Sequence, residues 1–306
     1  MNPAVAALLR EAEQSVPAHE ARELLAYAIG MHSVGYGPAA VLAWDAPDAV
    51  DGARFREFVA WRAAGTPLQY ITGVAVFRTV EVGVGPGVFI PRPETEVMTG
   101  WAIDRLHELD APVVVELCAG SGAISLAIAT EAPGCVQYAV ERDAAAYAYA
   151  CRNLASSGVH VVHGDMADAL HELDATVDLV IANPPYVAQL DAENLPADVR
   201  DHEPEVALFS GPAGLDAIRV VAAVAGRLLR PGGWLACEHG DDQGVSAPSA
   251  LDATGAFDQI ADHLDLTGRA RFVTARRLSS TRPSHGCDGG DGSRPGRSSG
   301  RMTSCG

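Results

Sequence analysis

Apolar and polar positions along the chain fall into successive regimes with different periods. Residues 1 to about 64 are rich in Ala, Leu, Glu and Arg, and their apolar positions recur at helical spacing. Ala18 to Ile29 carries a stripe through Ala21, Leu24, Leu25 and Ala28, and Phe55, Phe58 and Val59 mark a further helix before Gly65-Thr66-Pro67. No strand pattern interrupts them, so residues 1–67 are predicted to be a small helical bundle. From Leu68 to Ile90 the pattern changes to β-branched residues with glycines, which predicts a β-hairpin linker over 68–90. Beyond it, short apolar runs alternate with helical segments. Val113–Leu117, Val136–Val140, His160–His163, Asp178–Ala182 and Trp234–Glu238 read as strands, with a strand pair between Ala256 and Ala275. Helices are predicted after the Pro91-Arg92-Pro93 loop to about Leu109, and from Ala123 to Thr130, about Ala144 to Ala155 and Gly214 to Leu229. Runs of this kind, buried on both faces and separated by helices, belong to an open α/β sheet over 91–277. Val187 to Phe209 is acidic and irregular, and from Leu278 to the end Ser, Gly, Arg and Pro dominate, a composition expected to stay disordered.

Composition narrows the classes. At 306 residues the chain can bury a sizeable core in one large domain and a smaller one. A formal charge of −17 argues against general affinity for phosphate backbones. Every basic residue is Arg, which excludes Schiff-base and lysine-base chemistry. The six cysteines, 118, 135, 151, 237, 287 and 305, form no Cys-x-x-Cys pair and have no His at ligand spacing, so neither a zinc site nor a disulfide framework is expected. No apolar run is long enough to span a bilayer and no signal pattern opens the chain, which reads as cytoplasmic.

The chemistry gathers at strand ends. Leu179-Val180-Ile181-Ala182 stops at Asn183-Pro184-Pro185-Tyr186. Neither proline can donate to a ladder, and each drives the preceding residue out of the helical region, so Asn183 sits on a stiff turn at the carboxyl end of a central strand. In open α/β sheets that is where ligands bind. Asn183 offers a carbonyl acceptor, and Pro184 a carbonyl with no competing N–H. Two acceptors can grip both hydrogens of a substrate NH2 group while Tyr186 covers its flat face. Upstream, Cys118-Ala119-Gly120-Ser121-Gly122 joins a strand to a helix, where glycines allow a tight turn and close approach of a ligand to the helix N-terminus. This is Gly-x-Gly only, short of the longer dinucleotide fingerprint, which argues against an NAD enzyme. Glu141, about 20 residues on, is placed to accept both hydroxyls of a ribose. Asp165, also at a strand end, suits an adenine amino group or a solvated loop. Glu238-His239-Gly240 invites a catalytic reading, but one Glu-His pair is more often structural.

Together these residues resemble the protein-(glutamine-N5) methyltransferase family that modifies peptide chain release factors. The resemblance runs from about Gly65 to Arg276 and is carried by Gly65-Thr66-Pro67-Leu68-Gln69-Tyr70-Ile71-Thr72-Gly73, Phe89-Ile90-Pro91-Arg92-Pro93-Glu94-Thr95-Glu96 and Asn183-Pro184-Pro185-Tyr186. It implies a Rossmann-like class I methyltransferase sheet, mostly parallel with an antiparallel last strand. It also implies S-adenosylmethionine as methyl donor, with S-adenosylhomocysteine as product, and the glutamine of a release factor Gly-Gly-Gln motif as acceptor. Phe89, Pro91, Arg92, Cys118, Ala119, Gly120, Ser121, Gly122, Glu141, Asp165, Met166 and Asn183 would hold the donor. Asn183, Pro184, Pro185 and Tyr186 would hold the acceptor, with Asn183, Pro184 and Tyr186 catalytic. No metal is implied. The chain departs from the family at Cys118 and Ala119, where Gly and Thr are usual, at Glu141, where Asp is usual, and at Met166, where an aromatic residue is common. The helical bundle reads equally as a partner-recognition module or as a lid on the main domain. Two rivals remain: a nucleic-acid amino-methyltransferase acting on adenine N6, disfavoured by the acidic chain, and a binding-only module that keeps the nucleoside pocket.

Overall fold

The computed structural model describes residues 3–30 and 52–279. The Ser/Gly/Arg-rich tail from residue 280 and the helical reading over 31–51 lie outside the described residues. Helices α1 (Pro3–Ala12), α2 (Ala18–Ala28) and α3 (Gly52–Ala63) pack around Leu9, Leu24, Leu25, Phe55 and Phe58, as the helical stripe requires. The expected hairpin linker begins later than the sequence suggested. Leu68–Thr72 is a short helix, α4, and the hairpin is confined to β1 (Val74–Phe77) and β2 (Val80–Gly83). Tertiary packing outweighs β-branching here: Leu68 and Ile71 join the core of the helical bundle, and Gly73, at φ 73°, ends the helix in a left-handed cap.

The main domain follows as α5 (Pro93–Leu106), β3 (Val113–Leu117), α6 (Ala123–Glu131), β4 (Val136–Glu141), α7 (Ala144–Asn153), β5 (His160–His163) and β6 (Val177–Ala182). Then come α8 (Ala197–His202), α9 (Glu205–Leu208), α10 (Asp216–Leu228), β7 (Leu229–Glu238), α11 (Ser246–Asp252), β8 (Phe257–Leu264) and β9 (Ala270–Arg277). The seven-stranded sheet has the order β5-β4-β3-β6-β7-β9-β8, parallel except for β9, which runs antiparallel between β7 and β8. Alternation along β6 explains its unbroken apolar run. Leu179 and Ile181 enter the core beneath α5, α6 and the hairpin, whereas Val180 and Ala182 enter the core beneath α10 and α11.

Strand order reverses between β3 and β6, which opens a crevice at their carboxyl ends. Leu117 pairs with Ala182 at the last register position, so Cys118 and Asn183 leave the sheet side by side. The segment after Tyr186 is more ordered than its irregular sequence suggests. It is pinned at its base by Val187 N–H donating to Leu208 O (2.8 Å) and Ser210 N–H donating to Val187 O (2.9 Å), and α8 and α9 each begin just after a proline, Pro196 and Pro204.

Candidate active site

A cavity of about 290 Å³ occupies the crevice. Its walls include Phe89, Pro91, Arg92, Cys118, Ala119, Gly120, Ser121, Glu141, Asp165, Met166, Asn183, Pro185 and Tyr186, which had been expected to hold donor or acceptor. Two expected residues lie elsewhere. Pro184 is buried within the turn and is not part of the cavity lining. Gly122 packs away from the cavity, where a Cβ would meet Leu154 Cδ1 at 2.8 Å, so its glycine serves the contact between α6 and α7 rather than the approach of a ligand. Gly120 is different. It adopts φ 55° with open space where a Cβ would stand, which leaves the loop backbone approachable from the cavity.

The acidic side chains are organised by backbone donors. Glu141 accepts Gly120 N–H at 2.8 Å through one carboxylate oxygen and Asp143 N–H at 2.7 Å through the other, tying the end of β4 to the glycine loop. Each oxygen keeps a further lone pair for a ligand hydroxyl. Asp165 receives Ala167 N–H at 2.9 Å, and Arg142 lies 3.8 Å from its other oxygen. Cys118 and Met166, both departures from the family pattern, meet across the cavity wall with their sulfurs 3.7 Å apart. Cys118 takes φ 59°, a left-handed conformation that side chains rarely adopt, and burial pushes its thiol up to about 12. The protonated thiol is thereby favoured on the cavity wall.

Three side chains that the sequence reading did not assign to the site adjoin it. Glu116, on β3, also lines the cavity. It accepts Ser125 N–H at 2.9 Å and the Ser125 hydroxyl, so it caps α6, whose own N-cap residue, Gly122, has no side chain to do so. Burial pushes Glu116 up to about 8. Thr95 and Glu238 form a buried chain behind Asn183. Asn183 Nδ2 donates to Thr95 Oγ1 (3.2 Å), the Thr95 hydroxyl donates to Glu238 Oε2 (2.6 Å), and the Tyr186 hydroxyl donates to Glu238 Oε1 (3.3 Å). The Tyr186 carbonyl is clamped by Gln243 Nε2 at 3.0 Å. Thr95 stands inside a motif already singled out for its prolines and glutamates. Of the Glu238-His239 pair read as structural, His239 is bonded to Asp262 (2.9 Å) and Gly240 O (2.8 Å), while Glu238 holds the Thr95 and Tyr186 hydroxyls.

Arg92 pairs with the buried carboxylate of Glu203 and lies over the Phe89 ring at 4.8 Å, which fixes the proline-bounded loop against the α8–α9 segment. The Tyr70 hydroxyl donates to Val88 O at 2.6 Å and so joins α4 to the same wall. Among the described residues no helix is long and apolar enough to cross a membrane, and no cluster of His, Cys, Asp or Glu has the makings of a metal site.

Comparison with known proteins agrees with this geometry. Residues 80–198 match the model of the methyltransferase small domain, and residues 4–73 match that of the PrmC N-terminal domain. A release factor glutamine methyltransferase of Streptomyces coelicolor is 46% identical over 271 residues, covering 88% of this chain and 94% of the relative. One from Mycolicibacterium smegmatis is 43% identical, covering 90% and 96%. A 4-amino-L-phenylalanine/4-methylamino-L-phenylalanine methyltransferase of Streptomyces pristinaespiralis is 41% identical over 209 residues, covering 67% and 71%. Among solved structures the hMettl16 catalytic domain, in complex with MAT2A 3'UTR hairpin 6, superposes with a TM-score of 0.54 at 16% identity over 73% of this chain and 82% of that one, a likeness of fold alone. With its sheet, its crevice and these relatives together, the chain belongs to the release factor glutamine methyltransferase family.

Proposed function

We infer that the protein transfers a methyl group from S-adenosylmethionine to the side-chain amide nitrogen of a glutamine in peptide chain release factors, a reading supported by relatives named release factor glutamine methyltransferase. The observation that supports this best is the side chain of Asn183 on the wall of a cavity whose other walls are a glycine loop and a ribose-competent carboxylate. The donor fits those walls: Gly120 leaves backbone room, Glu141 keeps free lone pairs, and Asp165 can accept from an adenine amino group. When bound, S-adenosylmethionine supplies an electrophilic methyl on a sulfonium.

The chain's own residues must then deal with a poor nucleophile, since the lone pair of a carboxamide nitrogen is delocalised into its carbonyl. Asn183 Oδ1 and the Pro184 carbonyl would accept the two N–H bonds of the glutamine, turning its lone pair toward the methyl carbon. Tyr186 and Pro185 would hold the amide plane. Positioning of this kind can supply on the order of 7–11 kcal/mol without a strong base. We assign the acceptor to the Gly-Gly-Gln segment of the release factor and the work of the enzyme to the cytoplasm. Residues 1–67 are proposed to recognise the substrate protein, with α4 carrying that contact to the cavity wall through Tyr70. The acidic chain, −17 overall, favours a protein acceptor over a nucleic-acid base.

Incubating the protein with labelled donor and a purified release factor, beside DNA and RNA, then mapping the peptides, tests the reading. A single methyl on the glutamine is expected. Label confined to nucleic acid, or binding of donor without transfer, would overturn it.

A further inference from the structure

The Asn183 carboxamide can face the cavity in two ways, and only one is productive. With Oδ1 outward it accepts a substrate N–H; with NH2 outward it meets a substrate NH2 donor to donor. Nothing in the residue itself chooses between them. The choice comes from behind. Glu238 is 1% exposed at the end of β7, and its two oxygens accept the hydroxyls of Thr95 and Tyr186. A Thr95 hydroxyl committed as donor to Glu238 can only accept from Asn183, and it does so from Nδ2. Oδ1 is thereby left for the guest.

We propose that Glu238 is a positioning residue: its ionised carboxylate, acting through the Thr95 hydroxyl, sets which way the Asn183 amide faces and at the same time anchors the Tyr186 ring. This rests on the amide-methylating function inferred above. Protonation reverses the relay. A carboxylic acid at 238 can donate to Thr95 Oγ1, which frees the Thr95 hydroxyl to donate to Asn183 and draws Oδ1 away from the cavity. The groups facing Glu238 are Thr95 and Glu94 from α5, Tyr186 from the turn after β6 and Arg271 from β9, with Cys237 beside it on its own strand. Burial pushes Glu238 up to about 7, with a smaller upward push from Glu94, while Thr95, Arg271 and Tyr186 pull it down. The relay would therefore switch near neutral pH.

The test is a pH series of release factor methylation by wild type, Glu238→Gln, Thr95→Val and Thr95→Ser, with donor affinity measured calorimetrically for each. For wild type, kcat should rise through about pH 7 to a plateau. E238Q and T95V should lose kcat by about 10- to 100-fold at pH 8, lose the acid limb, and keep the affinity for the donor. T95S restores the hydroxyl and should stay close to wild type. An E238Q enzyme with wild-type kcat and an unchanged acid limb, or a T95S enzyme as impaired as T95V, overturns the proposal. The Thr95 pair decides the matter should E238Q not fold. The side-chain amide resonances of Asn183, followed by NMR over the same pH range, report on the relay without any turnover. A midpoint near 7 that vanishes in T95V supports it; no titration at all overturns it, even where failure to methylate a release factor has already removed the functional reading.

Discussion

Asn183 owes its reach to its neighbours on both sides. Pro184 and Pro185 stiffen the backbone that carries it, and the Thr95 hydroxyl 3.2 Å away occupies its nitrogen. In the proposed mechanism the residue contributes acceptor geometry and no part of the core, so Asn183→Ala should remove transfer while sparing the donor site. A fall in kcat of about 10³-fold or more, with donor affinity by calorimetry nearly unchanged, is expected. Equal loss of both would place Asn183 in the donor pocket rather than over the acceptor. The sequence exposed the place of this residue because it is written locally, in a strand followed at once by two prolines. Thr95 and Glu238 were not legible in the same way. They lie 143 positions apart, and neither residue type signals a partner until the sheet brings α5 and β7 together.

At the scale of elements, α6 shows how one loop serves two masters. Gly120 opens toward the cavity, whereas Gly122, two residues on, lets α7 approach. The sequence presents them as one Gly-x-Gly, and only the packing of Leu154 separates their duties. Gly122→Ala combines a left-handed backbone at φ 79° with a Cβ 2.8 Å from Leu154 Cδ1, and should destabilise by about 1–3 kcal/mol. Gly255, at φ 64° with open space around it, provides the control. Its alanine variant carries the backbone strain alone, so urea midpoints should show the larger loss for G122A. Equal losses would mean that Leu154 moves aside freely. The helix also lacks a cap of its own, and Glu116 reaches across from β3 to supply one. A capping role from a strand nine residues before the helix donor it serves has no sequence pattern to betray it.

For the whole molecule, the buried carboxylates set how stability depends on pH. Glu116 and Glu238 are both pushed upward by burial, to about 8 and about 7. Between about pH 5 and pH 8 the native state keeps protons that the unfolded chain has already released, so stability falls as pH rises through that window. Asp265, pulled down to about 2 by the Thr267 hydroxyl, titrates well below it. His263, lowered by burial, works in the opposite sense, but only toward the acid end. Urea unfolding at pH 5.5 and pH 8 should therefore show a smaller difference for Glu116→Gln than for wild type. An identical difference would show that Glu116 is ionised throughout. If the proposal for Glu238 holds, the enzyme is at its most active where this carboxylate costs it stability.

The chain's own order of residues determined the alternation of strands and helices, the proline-stiffened turn after β6, the glycine turn after β3 and the acids at the ends of β4 and β5. Each of these is a local matter of dihedral preference and side-chain period, readable over a few neighbouring positions. The fate of Leu68–Thr72 was not local: its β-branched residues gave way to burial against the helical bundle. The separate surroundings of Gly120 and Gly122, the cap from Glu116 and the hydrogen-bond chain from Glu238 through Thr95 to Asn183 were likewise decided by the tertiary structure. They depend on which atoms lie within hydrogen-bonding or van der Waals reach, and that distance exists only once the sheet has been assembled.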